Sequence, residues 1–185
     1  MGRPKQHLLV GGEPLLVRSA RIVSTAVPGP GVVVLGCGAE SLRGAMDVRA
    51  LRSVVNPDWD NGIGTSIRTG LATLLADAPF LEGVLIAVAD QPHLSVSRLT
   101  EMVERFSGAD SIVSARYNGT LGSPVVFGKT FYPELLALDD TQGAQRLLTR
   151  HPGSVIPVDA AELAVDLDTP DDYQRWLREN TPADQ

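Results

Sequence analysis

Apolar runs alternate along this chain with stretches in which apolar residues recur at helical spacing. Residues 51–55 (LRSVV) predict a strand. A short apolar run lies at residues 32–35, and residues 83–89 (GVLIAVA) form the most apolar stretch. Runs of this length predict buried strands, and we expect 83–89 to be a central strand that is covered on both faces. The alternation as a whole predicts an α/β fold, with helices on both faces of a mostly parallel sheet.

The remaining elements follow from periodicity and from capping residues. Helices are predicted at residues 13–26, 39–46, 65–76, 95–106, 143–150 and 169–179. Ser95 and Thr169 are suitable N-caps for two of them, and Pro170 suits the first position of the last helix. Further strands are predicted at residues 111–115, 124–127, 155–158 and 163–167, with a turn at 119–122.

Composition narrows the classes of function. The chain has 185 residues, a formal net charge of -6 and one cysteine, Cys37. Its length suits a single domain, which we place at residues 1–180 with a flexible tail at 181–185. The negative charge argues against a general nucleic-acid-binding protein. With no partner for a disulfide, no secretion signal and no apolar run that could span a bilayer, we expect a cytoplasmic protein that does not bind membranes.

Asp90, in the stretch VADQPHL, is the first candidate for chemistry. It directly follows the apolar run 83–89, and ligands of open α/β sheets bind at the carboxyl ends of the strands. A carboxylate at that position can hold Mg²⁺, which prefers oxygen ligands and is commonly shared with substrate phosphates. The alternative is that Asp90 only caps the turn that follows it.

A second acidic stretch, DLDTPDDY, contains four aspartates. Asp166 and Asp168 point the same way if the segment is extended, and two carboxylates on one face indicate a metal site. Acidic residues also favour a helix start, where they meet the positive end of the helix dipole. We assign Asp171 and Asp172 to that structural role, whereas Asp168 can serve both as a metal ligand and at the helix entry.

Two loops and one lysine are ambiguous by themselves. In NPDWDNGIGTSIRTGL, two glycines and several small polar residues come directly before and at the start of a predicted helix. In YNGTLGSPVVF, Asn118 and Gly119 are a pair that strongly favours a turn. Both patterns are more often structural than functional. Lys5, in MGRPKQHL, is by default a solvated surface lysine. Together with Asp90 and Asp168, however, it supplies what nucleotidyl transfer requires, namely positive charge on a triphosphate and carboxylates that hold a metal.

Five blocks of the sequence together resemble the MobA-like nucleotidyltransferase family, in particular its molybdenum cofactor cytidylyltransferase (MocA-like) branch. They are MGRPKQHL, NPDWDNGIGTSIRTGL, VADQPHL, YNGTLGSPVVF and DLDTPDDY, which follow in the family's order and spacing between Met1 and about Trp176. Each block is weak alone, but five in order are specific for the family. The resemblance implies a Rossmann-like three-layer α/β/α fold.

The resemblance also implies roles for individual residues. Lys5 and Asp90 would be the catalytic residues, and Asp90 and Asp168 would bind Mg²⁺. The nucleotide would be bound by residues of the first two blocks, namely Gly2, Arg3, Lys5, Gly62, Gly64 and Ser66. The acceptor would be bound by residues of the fourth block, namely Asn118, Gly122 and Pro124.

The implied reaction is transfer of CMP from CTP to molybdopterin (molybdenum cofactor), with release of pyrophosphate and with a molybdenum hydroxylase as client of the product. The acceptor phosphate is itself the nucleophile, so no general base is required. Three alternatives stay open: a GTP-using enzyme of the same fold, an enzyme that acts on a sugar phosphate, and a noncatalytic accessory protein that binds nucleotide or cofactor for a molybdenum hydroxylase.

The beginning of the chain departs from the family's pattern. The family's first strand and the loop L-A-A-G-x-S-x-R that follows it have no counterpart, and Met1 aligns with a methionine at the end of that loop. We therefore expect this sequence to be an N-terminally truncated form of the domain. Because that strand is central in the fold, a strip of the core should lack a hydrogen-bonding neighbour on each side.

Overall fold

A computed structural model describes residues 7–36, 38, 51–167 and 169–180 of the chain. These residues form an α/β fold in which helices cover both faces of a layer of strands. Ile112 and Val125 pack with the helices on one face, whereas their neighbours Val113 and Val126 pack with those on the other. This alternation confirms the predicted three-layer architecture.

Strands and helices alternate along most of the described chain. The strands are β1 (Leu9–Val10), β2 (Glu13–Pro14), β3 (Gly31–Leu35), β4 (Leu51–Val55), β5 (Gly83–Ile86), β6 (Ile112–Tyr117), β7 (Thr120–Gly128) and β8 (Val155–Asp159). The helices are α1 (Leu15–Ala26), α2 (Ile63–Asp77), α3 (Val96–Glu104), α4 (Tyr132–Leu136), α5 (Gln145–Arg150) and α6 (Pro170–Asn180). The predicted helix at residues 39–46 lies outside the described residues. No helix in the described part of the chain is long and apolar enough to cross a membrane.

The strands are mostly parallel, as predicted: outside the antiparallel pair β1 and β2, only β7 among the described strands runs opposite to the others of its sheet. β3 is parallel to β4, and β6 is parallel to β8, but β7 is antiparallel to both β5 and β6. A tight turn at Asn118 and Gly119 joins β6 directly to β7, so β7 must run back along β6. Residues 120–122 therefore lie in β7, and the predicted turn at 119–122 is wrong.

A gap separates two groups of strands. Apart from the β1–β2 hairpin, the described strands form a two-stranded sheet, β3-β4, and a four-stranded sheet with the order β5-β7-β6-β8. A cavity of about 810 Å³ lies between β3 and β5, and it is lined by residues 31–36 and 83–90 and by faces of α1 and α2. Among the described residues, β3 and β5 each pair along one edge only. The gap matches the unpaired strip that the sequence predicts.

β5 is covered on both faces, as the apolar run 83–89 predicts, because Val84 and Leu85 pack in clusters on opposite faces, but it is not a central strand among the described residues. It comprises only Gly83–Ile86 and lies at the edge of its sheet. Leu85, Ile86 and Val88 are half-buried rather than buried. The cavity is the physical reason, because it leaves one edge of this run without a neighbouring strand.

Two predicted helix caps are confirmed. The Ser95 hydroxyl accepts a hydrogen bond from the Arg98 backbone N–H at 3.3 Å and so caps α3. At α6, the Thr169 hydroxyl accepts from the Asp172 N–H at 3.1 Å, while the Asp172 carboxylate accepts from the Thr169 N–H at 2.9 Å. This reciprocal arrangement fixes where the last acidic stretch enters its helix.

Two predicted elements differ from those observed. Residues 13–14 belong to the β1–β2 hairpin, so α1 begins at Leu15. Residues 163–167 do not form a strand, because Leu163 belongs to a short 3₁₀ helix, Ala161–Ala164. The apolar residues Leu163 and Leu167 are each buried in a different hydrophobic cluster, without the segment being extended in a sheet.

Tyr132 in α4 should make the fold sensitive to alkaline solution. Its hydroxyl donates to the Leu81 carbonyl at 3.2 Å, and burial, with the charge of Glu82, raises its pKa to about 12. An unfolded tyrosine ionises near pH 10, so the unfolded chain loses this proton first and the folded state is destabilised as the pH rises from about 10 to 12. Urea unfolding across this range should show the loss, and Tyr132→Phe should reduce it. An unchanged pH dependence in Tyr132→Phe would contradict the assignment.

Candidate functional site

Asp90 lies where the chain that follows β5 meets the last acidic stretch. Its backbone carbonyl accepts a hydrogen bond from the Leu167 N–H at 3.1 Å. The residue is half-buried and lines the cavity between β3 and β5. The structure therefore brings residues 166–167 next to Asp90, although they are distant in sequence.

The hydroxyl of Tyr117, at the end of β6, is influenced by two carboxylates. Burial is the largest cause that raises the pKa of this hydroxyl, followed by the negative charge of Asp166 and, more weakly, that of Asp90. Because charge interactions weaken with distance, both carboxylates lie in the neighbourhood of the Tyr117 hydroxyl.

The carboxylate oxygens in this region have the chemistry that a hard divalent cation requires. Mg²⁺ is commonly held by one or two carboxylates, with substrate phosphates and water as the remaining ligands. Among the described residues, no group of three His, Cys, Asp or Glu side chains is placed to hold a metal ion by itself. Asp90 and the acidic stretch whose Leu167 contacts it thus suit a site that the substrate completes. Asp168, the predicted second ligand, lies outside the described residues, and its role stays a prediction.

The phosphate-binding residues predicted at the start of the chain, Gly2, Arg3 and Lys5, also lie outside the described residues. The chain that follows them nevertheless packs against the acidic stretch, because Leu8 and Val10 share a hydrophobic cluster with Leu167 and Trp176. In addition, the Tyr173 hydroxyl of α6 donates to the Leu9 carbonyl at 2.8 Å. Lys5 therefore precedes a segment that is anchored beside the residues that contact Asp90.

Some of the predicted ligand-binding residues line the cavity and others do not. Ser66 and Gly122 contribute to its lining, as Asp90 does. Asn118 is exposed in the β6–β7 turn, and Pro124 is buried within β7, so neither is part of the cavity wall. Of the predicted acceptor-binding residues, the structure thus places Gly122 at the cavity.

Gly62 and Gly64, at the start of α2, contact another loop of the chain. A Cβ atom at Gly64 would lie 2.0 Å from the Asp139 carbonyl oxygen, and one at Gly62 would lie 2.5 Å from that of Asp140. The Gly64 N–H donates to the Asp140 carbonyl at 2.8 Å. Arg68 holds this loop in place by donating to the Leu138 carbonyl and the Asp140 carboxylate. The two glycines thus allow close packing at the helix start, and their contact with nucleotide stays a prediction.

Asn56, which the sequence pattern did not indicate, positions Ser66. It is 1% exposed, and its side-chain amide donates to the hydroxyls of Thr65 at 2.8 Å and Ser66 at 3.1 Å. Its amide oxygen accepts from the Asp58 N–H at 3.0 Å. Asn56 therefore ties the loop before α2 to the first turn of that helix. Its position directly after β4 is the one sequence signal that could have identified it.

The family model of the MobA-like NTP transferase domain matches residues 1–155. The chain belongs to the MobA-like NTP transferase family. The purine catabolism protein PucB of Bacillus subtilis (strain 168) is 32% identical over 125 residues, which cover 65% of this chain. That match spans 58% of PucB, less than two thirds of its length. Nicotine blue oxidoreductase of Paenarthrobacter nicotinovorans is 28% identical over 188 aligned positions, which cover 96% of this chain and 90% of that protein.

Solved structures show the same nucleotidyltransferase fold. Rv0371c of Mycobacterium tuberculosis H37Rv, solved in complex with manganese, superposes with a TM-score of 0.77 at 29% identity over 95% of this chain and 91% of that one. A nucleotidyl transferase from Methanothermobacter superposes with a TM-score of 0.75 at 22% identity over 95% of this chain and 86% of that one. These likenesses confirm the fold class and the family resemblance of this MobA-like protein.

Proposed function

We propose that this MobA-like protein transfers CMP from CTP to molybdopterin in the presence of Mg²⁺ and releases pyrophosphate. The observation that carries the proposal is the meeting of Asp90 with residues 166–167, through the Leu167 N–H and the shared influence of Asp90 and Asp166 on Tyr117. The choice of CTP and molybdopterin rests on the resemblance to the MocA-like branch. The reaction belongs in the cytoplasm, with a molybdenum hydroxylase as client of the product.

In this proposal, some residues neutralise charge on the phosphates and others hold the reactants in position. Lys5 and Arg3 neutralise the triphosphate, and Asp90 and Asp168 hold Mg²⁺, which when bound offsets negative charge on the reacting phosphates. An oxygen of the acceptor phosphate attacks the α-phosphorus of CTP. The bond from that phosphorus to the β-phosphate oxygen breaks, and pyrophosphate leaves with the electron pair. Ser66, which the Asn56 side chain holds, would contact the nucleotide.

Pyrophosphate release with CTP, GTP and ATP as alternative substrates tests this function. Each nucleotide is supplied with molybdopterin and Mg²⁺, and kcat/KM is compared. We expect CTP to be preferred by about tenfold or more, because hydrogen bonds to a base discriminate strongly against the wrong one. A preference for GTP would exclude cytidylyl transfer. Nucleotide binding without pyrophosphate release would instead support the noncatalytic accessory protein.

One observation favours a second candidate function. A relative that aligns with 96% of this chain is named nicotine blue oxidoreductase, so the same fold is associated with a redox enzyme. The assay above therefore includes a reduced nicotinamide nucleotide with a redox dye. Oxidation of that nucleotide, without pyrophosphate release from any triphosphate, would favour the oxidoreductase over the transferase.

We also propose that the cavity between β3 and β5 accepts a further strand, as the family resemblance implies. Such a strand would pair with the edges of β3 and β5 that have no partner strand among the described residues, and it would cover half-buried residues such as Val33 and Ile86. A chain extended before Met1 by a short apolar strand and an L-A-A-G loop should melt at least about 5 °C higher and turn over faster. The matched control carries prolines at alternate positions of the added strand, which remove its N–H donors. Equal melting temperatures for the two extended chains would refute the strand.

A further inference from the structure

The side chain of Gln91 joins three separate parts of the chain directly beside Asp90. Gln91 is 1% exposed. Its amide nitrogen lies 3.1 Å from the Ser123 carbonyl oxygen in β7 and 3.2 Å from the Leu163 carbonyl oxygen in the 3₁₀ helix. The Tyr117 hydroxyl oxygen in β6 lies 3.3 Å from the same nitrogen. One buried amide group therefore connects the site to the β6–β7 hairpin and to the segment that leads to the acidic stretch.

The chemistry of these contacts requires an amide donor at this position. Carbonyl oxygens only accept hydrogen bonds, so the NH₂ group must face Ser123 and Leu163, and a flipped amide would place its oxygen against both. The Tyr117 hydroxyl donates its own proton to the Ser123 carbonyl at 3.1 Å. Gly122 leaves room for that hydroxyl, since a Cβ atom there would lie 2.6 Å from it. Neither an apolar side chain nor a carboxylate of the same size can replace these bonds.

Gln91 and Asp90 hold the same distant segment at two points. Gln91 bonds to the Leu163 carbonyl through its side chain, and Asp90 accepts from the Leu167 N–H through its backbone. Asp166 lies between these two anchored residues in sequence. Loss of the Gln91 amide would free one anchor and leave the buried Leu163 segment able to shift relative to Asp90.

We propose that Gln91 is a positioning residue that sets the spacing between Asp90 and residues 166–167, which precede Asp168 in sequence, and thereby the affinity of the site for a divalent cation. The proposal rests on the proposed function, since it takes these aspartates as the metal site. Residues that orient metal ligands without touching the metal typically change metal affinity about 10- to 100-fold when they are replaced. Gln91 has the burial and the donor geometry that such a role requires.

The test measures Mn²⁺ binding by electron paramagnetic resonance in the presence of a nonhydrolysable CTP analogue. Gln91→Met, held well below its melting temperature, should bind Mn²⁺ about 10- to 100-fold more weakly, with a CTP affinity changed less than about threefold. Gln91→Asn keeps the amide but shortens the side chain, so it should fall between Gln91→Met and the wild type. The matched control is Met102→Ala, which removes a fully buried side chain of α3 and should lower stability without changing Mn²⁺ affinity.

The outcomes separate this proposal from the proposed function. Wild-type Mn²⁺ affinity in both Gln91 variants, with only a lower melting temperature, would reduce Gln91 to a structural role. Equal loss of Mn²⁺ affinity in Met102→Ala would do the same. If the wild type releases no pyrophosphate but the Gln91 variants still lose Mn²⁺ affinity, the transferase fails and the positioning role stands. If the wild type binds no Mn²⁺, both are overturned.

Discussion

Asp90→Asn should lower the rate of pyrophosphate release about 10³-fold, which corresponds to about 4 kcal/mol of transition-state stabilisation. The substitution keeps the size of the side chain and removes the negative charge that a divalent cation needs. The backbone bond from Leu167 to Asp90 does not involve the side chain, so the local fold should be retained. Single-turnover kinetics with CTP, molybdopterin and Mg²⁺ measure the effect.

The matched control is Asp110→Asn, which removes a carboxylate of the same kind away from the cavity. Asp110 is exposed and contacts the Thr130 hydroxyl at 2.6 Å. Its replacement should leave the rate within about twofold of the wild type, because surface substitutions of this kind have small effects. Turnover that survives in Asp90→Asn, at normal nucleotide affinity, would remove Asp90 from the metal site.

Gly64→Ala should destabilise the fold by about 3 kcal/mol or more, because the added methyl group has no space. It would lie 2.0 Å from the Asp139 carbonyl oxygen and 2.9 Å from that of Asp140, and backbone atoms cannot rotate away as a side chain can. For a chain of this size, the melting temperature should fall by roughly 6–12 °C. The loop at 139–142 and the first turn of α2, including Ser66, would have to move apart.

Gly153→Ala is the control for this prediction. No atom lies within 4 Å of a Cβ built at Gly153, and its backbone does not have the positive φ that favours glycine. Its melting temperature should stay within a few degrees of the wild type. Equal melting temperatures for Gly64→Ala and the wild type would show that the contact between the 139–142 loop and α2 is not formed in solution.

Local signals in the sequence predict the elements that depend on local physics. β4 has the predicted bounds, Leu51–Val55, and its apolar residues Leu51, Val54 and Val55 mark it as a short strand. The caps at Ser95 and Thr169 follow from side chains that bond to backbone groups three residues away. Asp90 follows an apolar run, and α/β sheets bind ligands at the ends of such strands. The structure has Asp90 in the lining of the cavity.

Features that depend on distant contacts could not be predicted in this way. An apolar run that faces a gap has the same sequence as one that pairs with a strand along both edges, so the edge position of β5 is not visible in residues 83–89. Residues 163–167 have the apolar character of a short strand, although Leu163 and Leu167 pack in different clusters. The roles of Gln91 and Gly64 depend on contacts with residues that lie far away in sequence. Gln91 contacts the Leu163 carbonyl, and Gly64 packs against the Asp139 carbonyl.

The most direct test of the central claim is electron–nuclear double resonance on Mn²⁺ bound with a nonhydrolysable CTP analogue, in protein labelled with ¹³C at aspartate carboxyl groups. The account predicts ³¹P couplings from the nucleotide together with ¹³C couplings, and a loss of part of the ¹³C signal in both Asp90→Asn and Asp168→Asn. A wild-type spectrum with ³¹P couplings but no ¹³C coupling would show that the nucleotide alone holds the metal. That result would contradict the shared carboxylate site.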